Sequence, residues 1–301
     1  VRVLSEERSA AGRPNRILVP VANPQTAHRL IELATTLARQ TDSELLVTTV
    51  VTVPVQTPLE DGESFVDDER EWLDAALERV PADVPATRTI TIGRTAGRSI
   101  VSLAQQYDSD RVVLGWRGRR RRRDYVLGST IDFVVDEAPC DVVVAKASGT
   151  EHPRRVLVPT DGGPHAERAA EVADAFVAAT DGELTLLAVG PDAPVDRRHL
   201  DRRQSVLEGR GTAVNTRTVE ETDVSAAILD YAADREVDTI VMGATRQGLL
   251  GRALFGDVPE TVGERFDGEV LLVKRHRPAQ SLVRRWLRRW VGERRARPPE
   301  G

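Results

Sequence analysis

The chain has 301 residues, of which 40% are hydrophobic and 30% charged, and its formal net charge is −5. This is the composition of a globular protein too long for a usual single-core domain, so two domains are expected; no run approaches the roughly 20 apolar residues of a membrane span, and we expect no secretory signal. The single cysteine, Cys140, excludes an internal disulfide, fits a reducing cytoplasm and is interpreted as a small buried hydrophobe.

An internal repeat runs through most of the chain. Short apolar runs in the first half return in the same order in the second: 15–23 (NRILVPVAN) as 154–162 (RRVLVPTDG), 43–51 as 182–190, 110–118 as 238–246, and 140–146 as 268–274. Each run is continuous and rich in β-branched residues, which is typical of strands buried on both faces of a parallel sheet. A further strand is predicted in each copy, at 87–92 and 213–219.

Helical patterns separate these strands. They cover 26–40, 65–80, 97–107 and 129–137 in the first copy, and 166–180, 195–208, 224–234 and 257–266 in the second. Alternating strands and helices predict an α/β fold, with a five-stranded parallel sheet flanked by helices in each copy and the copies paired about a pseudo-twofold axis. The predicted organisation is an N-terminal extension (1–13), a first domain (14–148), a second domain (152–276) and a C-terminal tail (277–301).

Two glycine-containing turns are weak candidates for a ligand site. The first-strand turns, PVANPQ and PTDGGP, lack the G-x-G-x-x-G pattern of a dinucleotide fold. The segment GRTAGRS (93–99) has one residue too few between its glycines for a P-loop, and Arg98 stands where lysine belongs. We interpret this segment as a glycine turn that opens a helix.

The loop after the fourth strand of the first copy is the stronger candidate. It reads GWRGRRRRRDYVLGST, in which Gly115, Gly118 and Gly128 precede Ser129 and Thr130 at the start of a helix. Glycines let a backbone approach phosphates closely, and helix-start amides donate to anions. Alternatively, Gly128 ends an ordinary loop and Ser129 is an N-cap. The residues alone leave both interpretations open.

The spacing G-x2-G-x9-G-S on this strand resembles the ATP motif of the universal stress protein superfamily, and the resemblance extends over both copies. It implies two tandem Rossmann-like domains of the adenine nucleotide alpha hydrolase type, forming a pseudo-dimer in which the fifth strands face each other. It also implies ATP or AMP, with or without Mg²⁺, as ligand. By this resemblance Gly115, Gly118, Gly128 and Ser129, with the adjoining Thr130, contact phosphates; Val50 contacts adenine; and the site begins at Pro20, Val21 and Ala22.

The two copies depart from this pattern in different places. Ala22 stands where ATP-binding relatives carry aspartate, which the second copy keeps as Asp161. The second copy instead has Arg246 for the second glycine and Asp257 for the serine, and a carboxylate repels a phosphate. We therefore expect the first copy to bind the nucleotide and the second to be mainly structural.

No catalytic constellation stands out. The five histidines show no metal-ligand spacing, and no pair of acids in the loops suggests acid–base chemistry. We expect a non-enzymatic binding or regulatory module of a cytoplasmic stress response, with slow ATP hydrolysis left open. The alternative is a cytosolic regulatory domain or partner of a membrane transporter that retains no nucleotide binding, because the first copy is similar to stress-protein domains attached to some transporters.

Two arginine-rich segments suggest partners. Arg117 and the run 119–123 are either a solvated loop or a contact for an anionic ligand or acidic partner; nucleic acid is not expected, because the rest of the chain is acidic. In the tail, Trp286 and Trp290 fall on one helical face and four arginines on the other. This pattern predicts peripheral contact with a membrane surface or transporter, or else packing on the chain's own body or a second copy in a homo-oligomer.

Overall fold

The computed structural model describes residues 1–7, 15–56, 58, 66–116, 128–146, 153–190, 197–243 and 257–276. The strands are β1 (Arg2–Glu7), β2 (Asn15–Pro20), β3 (Ser43–Thr52), β4 (Ala86–Gly93), β5 (Arg111–Trp116), β6 (Asp141–Lys146), β7 (Arg155–Pro159), β8 (Glu183–Val189), β9 (Ala213–Val219), β10 (Thr239–Gly243) and β11 (Glu269–Lys274). The helices are α1 (Pro24–Thr41), α2 (Asp67–Leu77), α3 (Ala96–Gln106), α4 (Ser129–Glu137), α5 (Pro164–Thr180), α6 (Arg197–Glu208), α7 (Val224–Asp234) and α8 (Asp257–Arg265).

All of these strands join one sheet in the order β1-β4-β3-β2-β5-β6-β11-β10-β7-β8-β9. Five strands of each half are parallel to one another, which confirms the predicted α/β fold with a five-stranded parallel unit in each of two tandem copies. The segment predicted only as an extension adds β1, which pairs antiparallel with β4. The sequence analysis missed this strand because the run RVLSEE is short and carries three charges.

Helices cover both faces of the sheet because alternate residues of each strand point to opposite sides. Ile17 and Val19 of β2 face the α1 and α2 layer, where Leu30 lies in the same buried cluster. Leu18, between them, faces the α3 and α4 layer together with Leu103. Each cluster also includes residues of the second half, so the two halves share both apolar layers. This arrangement explains why the strands read as continuous apolar runs.

The halves meet where β6 and β11 pair antiparallel, with Val144 opposite Leu272. The predicted facing of the fifth strands about a pseudo-twofold axis is therefore confirmed. The two lysines of the chain end these strands and cross the seam. Lys146 Nζ donates to the carbonyl of Phe266 at 2.5 Å, and Lys274 Nζ donates to the carbonyl of Val135. A cation at a helix C-terminus is favourable, so both contacts stabilise the pairing.

Two ion pairs repeat this symmetry at the other ends of the same strands. Arg29 of α1 reaches Glu269, the first residue of β11, and Arg168 of α5 reaches Asp141, the first residue of β6, at 2.8 Å between Nε and Oδ2. Each arginine thus crosses from its own half to the other. The seam combines main-chain pairing, buried apolar surface and four crossing side chains.

Candidate functional site

The topology places a candidate site at the carboxyl edge of each half. In the first half the chain moves outward from β2 through β3 to β4, and then returns to β5 on the other side of β2. The point between β2 and β5 is a topological switch point, outside which ligands bind in open α/β sheets. The corresponding point in the second half lies between β7 and β10.

The first-strand turn lies on this edge. Pro20 ends β2, and the amide of the buried Val21 donates to the Thr48 carbonyl at 2.8 Å, whereas Ala22 is exposed. Asn23 Oδ1 accepts the Thr26 amide at 3.1 Å and caps α1. No described residue accepts a hydrogen bond from the buried Nδ2 of Asn23.

Asn23 is a candidate site residue that the sequence analysis missed. The sequence pattern that could have indicated Asn23 is the pair Asn-Pro ahead of an amphipathic helix. This pair is typical of an N-cap followed by proline at the first helical position. A capping role uses only the side-chain oxygen. The amide nitrogen is left as a donor at the switch point.

Val50 lies on β3 and Gly115 on β5, the two strands that flank β2. Val50 lies two residues before the end of β3, is half-buried, and packs against the cluster beneath α3 and α4. A Cβ on Gly115 would point to the other face and lie 2.9 Å from Cδ1 of Leu30. The equivalent Gly243 of β10 faces α5, where a Cβ would lie 2.5 Å from the Ala166 amide nitrogen. Both glycines therefore admit the first helix of their half, so Gly115 has a packing role that does not depend on phosphate.

The start of α4 has the features expected of an anion site. Gly128 has φ +123°, a conformation that favours glycine, and a Cβ there would meet no described residue within 4 Å. Gly128 is the N-cap, so the alternative in which Ser129 caps the helix is wrong. Ser129 is instead the first helical residue and is exposed, with the half-buried Thr130 beside it. Because its N-cap is glycine, α4 receives no capping hydrogen bond from the N-cap side chain.

Asp132 lies in the first turn of the same helix. Burial raises the pKa of its carboxyl from 3.8 to about 6. Near neutral pH this group is largely ionised and adds negative charge close to the site. Below the raised pKa it is neutral, so the electrostatics of the α4 start depend on pH.

Several residues predicted to belong to the site or to bind partners are not described by the structure. Gly118, Arg117, the run 119–123, Arg246 and the tail 277–301 lie outside the described residues. The remaining candidates lie at one edge of the sheet, because β2 lies between β3 and β5 and all three strands end there. These candidates are Pro20, Val21, Ala22, Val50 and the start of α4. Gly115 lies on the same strand set but faces α1.

The matching turn of the second half is closed on itself. The carboxylate of Asp161 accepts the Gly163 amide at 2.9 Å, and the Thr160 hydroxyl accepts the Gly162 amide at 3.1 Å. Asp161 is exposed. Its Oδ1 is thus already engaged by the local turn.

The second half contains a cavity that the sequence analysis did not predict. Its volume is about 320 Å³, and it lies between α5 and α6 beside the carboxyl ends of β7 and β8. Arg203 at its wall lies 3.5 Å from Glu167 and 3.9 Å from Glu171, so its charge is compensated. Small residues, among them Ala170 where the first half has the buried Ile31, leave this space. It lies on the α5 and α6 face and is lined in part by Thr160 and Gly162 of the first-strand turn.

Other chemistries find little support in the described part of the chain. Within it, no group of three or more His, Cys, Asp or Glu side chains could hold a metal ion. Cys140 is buried, as predicted, and burial raises its pKa to about 12, which keeps the thiol protonated. None of the described helices has both the length and the apolar character needed to cross a membrane.

A duplicated parallel sheet, closed about a pseudo-twofold axis and carrying a glycine-led helix at its first switch point, defines a class of tandem α/β proteins. Comparison with known families identifies the class: the universal stress protein family matches residues 14–146 and again 152–274. The chain therefore belongs to the universal stress protein family.

Individual relatives agree with this assignment. Universal stress protein Sll1388 of Synechocystis is 27% identical over 150 residues, covering 44% of this chain and 97% of that protein. The Na⁺/H⁺ antiporter NhaS5 of Synechocystis is 28% identical over 146 residues, which are 48% of this chain but 21% of the antiporter. A universal stress protein from Archaeoglobus fulgidus has the same fold, with a TM-score of 0.67, 21% identity, and 87% and 96% of the two chains covered.

Proposed function

We propose that the first domain binds an adenine nucleotide, ATP or AMP, and that the chain is a non-enzymatic regulatory module of a stress response. The observation that carries this proposal is the start of α4, where the N-cap is Gly128 and a Cβ at that position would meet no described residue within 4 Å. The second domain then serves mainly as the scaffold that completes the pseudo-dimer.

The physical basis is the field and hydrogen-bonding capacity of a helix N-terminus. The first-turn amides of a helix lack intrahelical partners and carry partial positive charge. At α4 the N-cap glycine provides no side-chain cap, and the exposed hydroxyl of Ser129 adds a further donor. A phosphate group fits this set of donors.

Asn23 extends the site toward the first strand. Its Nδ2 is a buried donor without a described acceptor, and an unpaired buried donor is unfavourable. A ribose or base oxygen or nitrogen of the nucleotide would provide the acceptor. In this chain Asn23 would thus supply a polar group in place of the aspartate that ATP-binding relatives carry at the position of Ala22.

Calorimetric titration of the full chain with ATP and with AMP tests the proposal. Gly128→Val should weaken binding by at least about tenfold, because it imposes a β-branched side chain at positive φ in front of the α4 amides. Gly211→Val is the matched control, since Gly211 also has positive φ, at +91°, with nothing within 4 Å of a Cβ, but precedes β9. This control should bind as the unmodified chain does.

A second variant separates Asn23's cap from its donor. Asn23→Ser keeps an N-cap oxygen and removes the amide nitrogen, so nucleotide binding should weaken several-fold with little loss of thermal stability. Absence of any nucleotide binding by the unmodified chain, or equal binding by it and the Gly128 variant, would contradict the proposal.

A second candidate function is regulation of a cation transporter without nucleotide binding. The match to part of a Na⁺/H⁺ antiporter favours it. The test adds the full chain to membrane vesicles of its host and follows Na⁺-driven pH change with a fluorescent dye. Altered exchange together with no calorimetric response to ATP or AMP would favour this candidate over the first.

A further inference from the structure

A second cleft lies at the opposite, amino-end edge of the sheet, where the two halves meet. Its volume is about 490 Å³, and its walls include the first residues of β2, β3, β5 and β6 together with the residues that follow β11. The charged and hydroxyl-bearing residues relevant to ligand binding are Ser109, Asp110, Arg111, Asp141, Arg168 and Arg275. These six residues define the Arg111 cleft, which is separate from the nucleotide site proposed above.

Two buried side-chain atoms of the Arg111 cleft, Nε of Arg111 and Oγ of Ser109, have no hydrogen-bond partner among the described residues. Arg111 is 8% exposed and Ser109 is 6% exposed. Burial lowers the pKa of Arg111 and nearby Arg168 lowers it further, whereas Asp141, Glu171 and Asp110 oppose these effects. A buried guanidinium whose Nε has no hydrogen-bond acceptor is costly unless an acceptor joins it.

The carboxylates in the cleft are committed to other groups. Asp110 Oδ2 accepts the Arg16 amide at 2.8 Å. Asp141 accepts the His276 amide at 2.7 Å and forms the crossing ion pair with Arg168 at 2.8 Å. Neither accepts a described hydrogen bond from Arg111. Arg168 also pairs with Glu171, and Arg275 Nη1 lies 3.5 Å from Glu167 Oε2, so both of these arginines are compensated. Of the three arginines in the cleft, Arg111 is therefore the one without an ion pair to a described residue.

The pseudo-twofold axis shows that the fold does not need this charge. Arg111 lies opposite Asp141 on the neighbouring strands β5 and β6, and Thr239 lies opposite Glu269 in the same way on β10 and β11. Thr239 is fully buried and uncharged, and the arginine from the other half, Arg29, reaches Glu269 there. The first half thus has the same crossing ion pair plus one additional buried cation.

We propose that the Arg111 cleft binds a small oxyanion of the phosphate class. Arg111 and Ser109 supply buried donors without described partners, and Arg275, which lies 3.5 Å from Glu167, lines the cleft from the end of β11. A guanidinium and a hydroxyl that line one cleft suit an oxyanion. Free phosphate and the phosphate group of a small metabolite share this chemistry.

Binding to the full chain is measured by calorimetry and thermal shift, with inorganic phosphate and glycerol phosphate as separate probes. Phosphate should raise the melting temperature of the unmodified chain. Arg111→Thr installs the residue of the equivalent position and should weaken phosphate binding by at least about tenfold. Without ligand this variant should melt at or above the unmodified chain, whereas a purely structural arginine would make it melt lower. Equal response to both probes identifies the phosphate group as the recognised element, and a stronger response to glycerol phosphate identifies a metabolite.

Three further variants keep the assignment falsifiable. Ser109→Ala should weaken phosphate binding several-fold, which provides a second test if the Arg111 variant folds poorly. Arg217→Thr, at an exposed arginine on β9, should bind phosphate normally. Gly211→Val, at a position outside both sites, should also bind phosphate normally. Absence of phosphate binding by the unmodified chain, or unchanged binding in Arg111→Thr or Ser109→Ala, would overturn the proposal.

Discussion

The two halves of the molecule share their framework and differ at their carboxyl edges. Both keep a glycine on the strand beneath the first helix, a lysine that crosses the seam and an arginine that pairs with the other half. At the first-strand turn, however, one half has an exposed alanine with an unpaired amide donor beside it, and the other has a self-closed aspartate turn. Shared residues therefore mark what the fold requires, and the unshared ones mark where function is to be sought.

The largest expected difference concerns the two crossing ion pairs. The side chains of Arg29 and Glu269 are 12% and 0% exposed, whereas those of Arg168 and Asp141 are 28% and 11% exposed. Glu269→Gln should therefore lower the free energy of unfolding by about 3 kcal/mol, and Asp141→Asn by about half as much. Urea denaturation near neutral pH measures both.

The same comparison has a pH signature. Burial raises the pKa of Glu269, against the effect of Arg29. Because the folded chain then holds this proton more tightly than the unfolded chain, the unmodified protein gains stability as the pH falls, and the cost of Glu269→Gln should be larger at low pH than near neutral pH. Equal costs for the two variants at all pH values would show that the seam does not depend on the burial of its ion pairs.

The shared glycines give the next effect. A Cβ on Gly243 would press on the backbone of α5, whereas one on Gly115 would meet the movable end of Leu30. Gly243→Ala should thus lower the free energy of unfolding by about 2 kcal/mol, and Gly115→Ala by under about 1 kcal/mol. Nucleotide affinity of Gly115→Ala should remain nearly unchanged. A large loss of affinity in that variant would return Gly115 to the ligand site.

Most of the fold could be predicted from the sequence because the repeat and the apolar runs are local signals. The helix over Val224–Asp234 and the strand over Ala213–Val219 match their predicted bounds. The crossing pair of Arg29 and Glu269 could not be foreseen, since the two residues are 240 positions apart. The same holds for the cavity between α5 and α6, which depends on several small residues meeting in space.

The candidate site was less accessible to sequence reasoning. The glycine spacing indicated the correct edge of the sheet, but spacing cannot distinguish Gly115, which admits α1, from Gly128, which has positive φ. That distinction depends on what lies opposite each Cα. The free amide of Asn23 likewise follows from the three-dimensional arrangement around it.

The smallest expected effect is the pH dependence that Asp132 of the first half gives to the stability of the chain. The raised pKa of Asp132, about 6 against an ordinary 3.8, means that the folded chain holds this proton more tightly than the unfolded chain. Its contribution to stability is therefore full below the unfolded pKa and is lost as the pH rises through 6. Asp132→Asn should melt slightly higher near neutral pH and show a flatter dependence between these values.

Nucleotide binding provides the readout at the site itself. Neutralising Asp132 removes negative charge beside the phosphates, so affinity should rise about twofold as the pH falls through this range. The Asn variant corrects for protonation of the nucleotide. An identical pH dependence in both proteins would show that Asp132 does not face the ligand.

Hydrogen–deuterium exchange with and without nucleotide tests the central claim most directly, because it reports on both halves in one sample. The account predicts that ATP or AMP slows exchange of the amides of residues 128–132 and of the first-strand turn at 20–26, and leaves 160–170 and 199–206 unchanged. Protection of 160–170 and 199–206, with none at the start of α4, would place the nucleotide in the second domain and contradict the account.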